Sequence, residues 1–185
     1  EKGYREETIR RPEDEDAFHV IAYKGLQPVG TVSCVAHGMV DHIPIEAHVS
    51  EEYRPPKGVV AAEIDRLAVV PEERGGMVPL GLMTIAYLYC KAREAKRVYL
   101  DVFSDEKTQV HMYRKLGFQP IGQYEDPLPV VVMMVDHRTD YERNSARLNR
   151  FVKPLMSRIS RRLEFTERNR REVMKGVEEI LSLDR

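Results

Sequence analysis

Short apolar, β-branched runs alternate with helical ones through the first three quarters of the chain, and only a helical period remains after that. Residues 18–23 (Phe-His-Val-Ile-Ala-Tyr) and 28–35 (Pro-Val-Gly-Thr-Val-Ser-Cys-Val) flank Lys-Gly-Leu-Gln, a pattern that predicts a hairpin. Residues 61–70 predict a strand in which Glu63, Asp65 and Arg66 stand among apolar neighbours. A turn over 71–76 follows, and a helix runs from Pro79 to about Tyr89, with Pro suited to its first position. Residues 97–103 predict a further strand. Ser104 or Asp105 can cap a helix over 106–116, which Gly117 ends. Residues 118–124 are extended, and 130–135 are apolar on both faces, as expected of a strand inside a sheet.

The strand–helix–strand–helix–strand order needs crossovers, so the fold class is α/β with a mixed, partly parallel sheet. Between the hairpin and the central strand, residues 37–60 carry Asp41, Pro44, Pro55, Pro56 and Gly58 and read as a long loop, functional or mobile. After residue 138, Leu148, Phe151, Val152, Leu155, Met156, Ile159 and Leu163 form one helical stripe, interrupted at Pro154. Val173, Met174, Val177, Ile180 and Leu181 form a second, with Thr166 as its cap. The expected organisation is an α/β domain over 1–138 and a helical extension over 139–185 packed on it. Residue 1 is Glu rather than Met, so an upstream segment is expected.

Charge sharpens this picture. A net charge of −1 over 185 residues argues against wholesale nucleic-acid binding. The charge is nevertheless uneven, with an acidic run at 13–16 and a basic tail that includes Arg158, Arg161, Arg162 and Arg168. That tail has three readings: docking of an acidic partner, a solvated face with pairs such as Glu164–Arg168 and Glu167–Arg171, or a nucleic-acid or membrane surface. Cys34 and Cys90 lie in apolar runs and are expected to be buried thiols in a reducing cytosol. No run of about 20 apolar residues is present to span a membrane. His37, His42 and His48 match no standard metal spacing, with Pro44 between two of them, so no metal is expected.

The chemically distinctive stretch is the strand, turn and helix of residues 61–89. A helix N-terminus behind Arg74, Gly75 and Gly76 offers backbone N–H groups and a positive dipole end to an anion.

Two segments here resemble motifs of the GNAT-fold acyltransferases. Leu67-Ala-Val-Val-Pro-Glu-Glu-Arg-Gly-Gly76 is similar to their strand and phosphate loop, and Val110-His-Met-Tyr-Arg-Lys-Leu-Gly-Phe118 to their second motif. The departures are Met77 and Pro79, where the loop usually carries Gly or Ala, and Glu106, where the second motif usually has Asn. Glu63-Ile-Asp-Arg-Leu67 is similar to a Glu-x-Ser-Arg-Phe segment of acyl-homoserine lactone synthases. With the acidic run and the basic tail, the chain resembles the FeeM-type long-chain N-acyl amino acid synthases.

This resemblance implies a bacterial, cytoplasmic enzyme that moves a fatty acyl group from acyl carrier protein to the α-amine of an amino acid, tyrosine being characteristic. The donor arm would be phosphopantetheine, with no tightly bound cofactor. Such a donor brings no adenosine pyrophosphate, so a loop altered at Met77 and Pro79 is tolerable. The alternatives are an acetyl-coenzyme A N-acetyltransferase and a non-catalytic module that binds through the basic tail.

Transfer to an amine needs a base, and Glu63 is the candidate; a structural ion pair with Arg54, Arg66 or Arg97 is its other reading. Arg66, beside Asp65, is a candidate for the acceptor's carboxylate or for a structural pair. In a regular strand residues 63 and 66 face opposite sides, a conflict that the splayed and bulged strands of the GNAT family would relax at this place. The family implies oxyanion and pantetheine contacts from the backbone of Leu67, Ala68 and Val69, and a proton donor at Tyr113, a position equally suited to core packing. An acyl channel lined by Phe18, Val20, Cys34, Met83, Met133 and Met134 is expected, although composition does not separate channel from core.

Overall fold

Gly25, at φ +62°, turns the chain between β1 (Phe18–Lys24) and β2 (Gln27–Ala36), forming the expected hairpin. The computed structural model describes residues 12–139 and Arg171. The expected extension over 139–185, with Arg158, Arg161, Arg162 and Arg168, otherwise lies outside the described residues. After the hairpin come β3 (Ala61–Val69), α1 (Met77–Ala92), β4 (Arg97–Phe103), α2 (Lys107–Lys115), β5 (Gln119–Glu125) and β6 (Pro129–Asp136).

The six strands form one sheet in the order β1-β2-β3-β4-β6-β5. The β3–β4 pair is parallel and the other pairs are antiparallel. This is the mixed α/β sheet that the order of elements requires. β6 lies between β4 and β5, in keeping with its nearly unbroken apolar run.

Successive strand residues point to opposite faces, so each strand serves two cores. On one face, Val32, Cys34, Ala62, Ile64, Val98, Leu100 and Met133 meet Leu82, Met83, Ile85 and Ala86 of α1, and Tyr113 of α2 joins them. Each large aliphatic buried there contributes roughly 1.5–3 kcal/mol of transfer free energy. Both cysteines are buried thiols in this layer. On the other face, Val35, Ala61, Tyr99 and Val132 are covered by Ile43, Ile45 and Val49.

That cover corrects the reading of residues 37–60 as a bare loop. Two 3-10 turns, Pro44–Ala47 and Glu51–Tyr53, pack the segment onto the sheet with a small core of its own. Two helix starts also differ from expectation. α1 begins at Met77 with Gly76 as its N-cap, so Pro79 falls in the first turn, where an N–H has no intrahelical acceptor to lose. Glu106, rather than Ser104 or Asp105, occupies the N-cap of α2, and Gly117 at φ +101° ends it. No helix among the described residues is long and apolar enough to cross a membrane.

Candidate active site

β3 and β4 pair over four rows, from Ala61↔Arg97 to Ile64↔Leu100. Beyond that point β3 continues with β2 while β4 continues with β6 as far as Phe103↔Val130, so the sheet forks. Asp65 and Asp101 stand at the mouth of the fork, each one residue past the last pair.

β3 is irregular at this point. Ser33 pairs with Asp65 and Thr31 with Ala68, so three steps on β3 match two on β2. Arg66 takes up the extra length in a left-handed conformation, φ +57°, which costs a non-glycine residue about 1 kcal/mol or more. A hydrogen bond from its own N–H to Asp65 Oδ1, at 2.6 Å, helps to offset that.

The bulge removes the geometric conflict that a regular strand would impose. The Arg66 guanidinium lies 2.5 Å from Asp14 Oδ1 and 3.7 Å from Asp65 Oδ2. The Asp14 carbonyl is 2.9 Å from His19 Nε2, and His19 stands opposite Ser33, itself opposite Asp65. Strand partners share a face, and Asp65 shares one with Glu63. Arg66 thus joins the face of Glu63 instead of the α1 face.

Glu63 is buried to 2% exposure, more deeply than the sequence suggested. Its Oε2 accepts the N–H of Ile45 at 2.7 Å, a bond supplied by the covering segment. That segment is clamped in turn. Glu46 is 2.7 Å from His37 Nε2 and 3.2 Å from His42 Nδ1, while His37 Nδ1 accepts the Ala61 N–H at 3.3 Å. Because Nδ1 accepts, the proton of the neutral His37 ring belongs on Nε2, facing Glu46. Arg97, one of the partners considered for Glu63, lies 2.8 Å from Asp136 and donates to the carbonyls of Tyr53 and Arg54. Beside Glu63 stand Val35 and Tyr99, and at the fork Tyr124 donates its hydroxyl proton to Asp101. This acidic face favours a cationic ammonium.

Tyr113 reaches the same region from the α1 side. Burial, reinforced by the Asp101, Asp65 and Glu106 carboxylates, pushes its phenol above the usual range. Its ring packs edge-on against Phe118, centroids 6.3 Å apart. At neutral pH such a phenol holds its proton.

Further along, the Arg74 guanidinium donates from Nε to the Val69 carbonyl at 2.9 Å, folding the turn back on β3. Gly75 and Gly76 are exposed at the start of α1. Leu67 and Val69 pack against the α1-side core and Ala68 is exposed. Of the expected channel residues, Phe18, Cys34, Met83 and Met133 are buried in the α1-side core, with Val20 packed against them. Met134 does not join them. It packs on the opposite face against the cluster of Tyr99 and Val132, because one step along a strand reverses the side chain.

Asp14, Ile45, Asp101 and Tyr124 were not anticipated. Asp101 carried a signal, as the charged residue in an apolar strand, whereas a backbone N–H such as that of Ile45 carries none. Among the described residues, no group of three or more His, Cys, Asp or Glu is gathered as for a metal ion.

Comparison with known proteins agrees with this architecture. The family model described as N-acyl amino acid synthase FeeM matches residues 1–136. No curated protein sequence matches the chain. Among solved structures, FeeM, an N-acyl amino acid synthase from uncultured soil microbes, superposes with a TM-score of 0.53 at 19% identity, over 65% of this chain and 72% of that one. BjaI, a coenzyme A-dependent acyl-homoserine lactone synthase, gives a TM-score of 0.52 at 22% identity, over 84% of this chain and 74% of that one. The NatC complex bound to Gag peptide and coenzyme A gives 0.53 at 15% identity, over 74% and 82%. At these identities the superpositions establish the GNAT-like fold, and the family model carries the assignment. The chain belongs to the FeeM family of N-acyl amino acid synthases, acyltransferases that work by N-acyl transfer.

Proposed function

We propose that the protein joins a long-chain fatty acyl group, carried as a thioester on the phosphopantetheine arm of acyl carrier protein, to the α-amine of a free amino acid, with tyrosine favoured. One observation carries the reading: buried Glu63 and the bulged Arg66 share one face beside the fork between β3 and β4, while Tyr113 stands on the other.

The roles follow from chemistry. An α-ammonium is largely protonated near neutral pH and must lose a proton before it attacks. Glu63 takes that proton, directly or through water, while Arg66 grips the acceptor's carboxylate next to Asp65. The amine nitrogen adds to the thioester carbonyl carbon, and backbone N–H groups of Leu67, Ala68 and Val69 hold the developing oxyanion. Collapse breaks the C–S bond, Tyr113 protonates the departing thiolate, and the extra proton on the attacking nitrogen leaves through water, which gives the amide and restores the Tyr113 phenol. Arg74, Gly75, Gly76 and the first turn of α1 receive the donor's phosphate. Pro79 removes one N–H from that turn, which favours a donor with a single phosphate over one with a pyrophosphate. The acyl chain would lie among Phe18, Val20, Cys34, Met83 and Met133 on the α1 side. Arg158, Arg161, Arg162 and Arg168 would steer the acidic carrier.

Mass spectrometry of lipid extracts from bacteria expressing the protein tests this reading. Long-chain N-acyl tyrosine, or another N-acyl amino acid missing from an empty-vector control, is the expected result. Purified protein that acetylates an amine from acetyl-coenzyme A, and makes no long-chain amide from acyl carrier protein, would overturn it.

A further inference from the structure

A phosphopantetheine arm is esterified through its phosphate to a serine on the carrier's surface. Residues that hold this phosphate therefore lie within a few bonds of the carrier itself. β3 runs from the fork through Leu67, Ala68 and Val69 to the turn at 71–76. An arm laid along it has its thioester end at the fork and its phosphate end at Arg74, Gly75 and Gly76, all of which are exposed. The β1–β2 hairpin ends beside this turn. The Val70 N–H donates to the Val29 carbonyl at 2.9 Å, and Lys24 Nζ lies 2.5 Å from Glu73 Oε1, so hairpin tip and turn form one rim.

The crest of that rim is apolar. The tip is a two-residue loop, Gly25 at φ +62° and Leu26, whose side chain is 98% exposed. Gly25 supplies the positive φ that such a loop needs, and nothing in the turn asks for an apolar side chain after it. Among the described residues, the large apolar side chains left exposed are Ile21, Tyr23, Leu26, Met77 and Leu128. Leu128 aside, they lie on this hairpin or at the first residue of α1. The charges beside them nearly balance, with Glu73 paired to Lys24 and with Glu72 and Arg74 both exposed. A near-neutral apolar rim suits close contact with a folded partner and has little attraction for an anionic bilayer.

We infer that the tip of the β1–β2 hairpin, with Leu26 at its crest, is the ledge on which acyl carrier protein docks, an inference that rests on the proposed carrier-bound donor. The tether brings the carrier to this rim whenever the arm is in place. Leu26 then loses its water against the carrier surface around the modified serine. A free arm with the same phosphate and thioester makes no such contact.

The test uses the full chain, the acceptor identified by mass spectrometry and two donors with the same acyl chain: acyl carrier protein thioester and free acyl-phosphopantetheine. The readout is the ratio of their kcat/KM values. Leu26→Glu is expected to lower kcat/KM for the carrier-bound donor about tenfold or more, and Leu26→Ser several-fold, both through a higher KM. The value for the free arm should stay at that of wild type. Thermal melts establish that both variants fold. Variants that leave the ratio unchanged, or that lower both donors equally, would overturn the inference while the proposed reaction stands. Variants that keep the ratio but lose binding to phosphatidylglycerol vesicles would overturn it too, and assign the tip to a lipid surface. A wild-type protein that makes no amide from either donor would overturn the reaction and the inference together.

Discussion

The main-chain N–H of Ile45 donates to Glu63 Oε2 at 2.7 Å, tying the buried carboxylate of the central strand to the segment that covers it. Its consequence for mutagenesis is specific. Glu63→Gln keeps a carbonyl oxygen for the Ile45 N–H and fills the same volume, so the fold should survive with Tm within a few degrees of wild type. The proposed general base is lost, and kcat should fall by about 10²–10⁴-fold. Steady-state kinetics beside a thermal melt checks this; unchanged kcat would remove Glu63 from the chemistry.

Tyr113→Phe separates a proton donor from a core residue. The ring contact with Phe118 persists, so stability should change by less than about 1 kcal/mol. Turnover should drop by roughly 10–100-fold, most with donors whose thiolate leaves slowly. Stopped-flow release of free thiol measures the effect, and wild-type turnover would assign Tyr113 to packing alone.

Gly30→Ala tests how tightly α1 seats on the fork. A Cβ there would lie 3.0 Å from Leu82 Cδ1, 3.1 Å from the Ala68 carbonyl oxygen and 3.2 Å from Val69 Cγ2. The carbonyl is backbone and yields little, so the substitution should destabilise by about 1–3 kcal/mol in urea unfolding. Because Ala68 and Val69 belong to the proposed donor cradle, the KM for acyl donor should rise as well.

His137 predicts the acid limit of stability. Burial, with help from Lys91 and Lys96 and against Asp136, lowers its pKa from 6.5 to about 3, and its Nε2 shares a 2.7 Å hydrogen bond with the Tyr87 hydroxyl. The unfolded chain takes up a proton below about pH 6.5 that the folded protein refuses until about pH 3. This contribution to stability is therefore complete above pH 6.5 and declines between those values, by up to about 1.4 kcal/mol per pH unit. His137→Gln retains an acceptor for Tyr87 and should flatten that slope in denaturant titrations from pH 7 to pH 4.

Much of this architecture was legible in the pattern of residues, and the exceptions have physical causes. The hairpin, β3, β4 and the interior position of β6 follow from alternation and β-branched runs, and Gly117 ends α2 as its type suggests. The parts that escaped notice depend on contacts distant in sequence. Asp14 reaches Arg66, and Ile45 reaches Glu63, only after the sheet has formed. The cover over 37–60 hides its packing because Pro44 and Pro55 look like breakers, while Ile43, Ile45 and Val49 are too scattered to show a period. Met133 and Met134 looked equivalent in composition, yet a period of two separates them. Arg66 is the instructive case: a regular strand places it wrongly, no single residue announces the bulge that corrects it, and only the resemblance to GNAT strands pointed there.

The extra residue in β3 acts like a frameshift within the strand. Upstream of it, odd-numbered side chains such as Glu63 and Asp65 face the covering segment. Downstream, Ala68 takes that direction, while Leu67 and Val69 anchor the α1 side. Removing one residue between Asp65 and Ala68 would restore ordinary alternation and a smoother sheet. The same deletion, taken at Arg66, would leave Leu67, Ala68 and Val69 on their present faces but withdraw a cation from the face of Glu63. Regularity and the proposed activity thus make opposite demands on one position of the backbone.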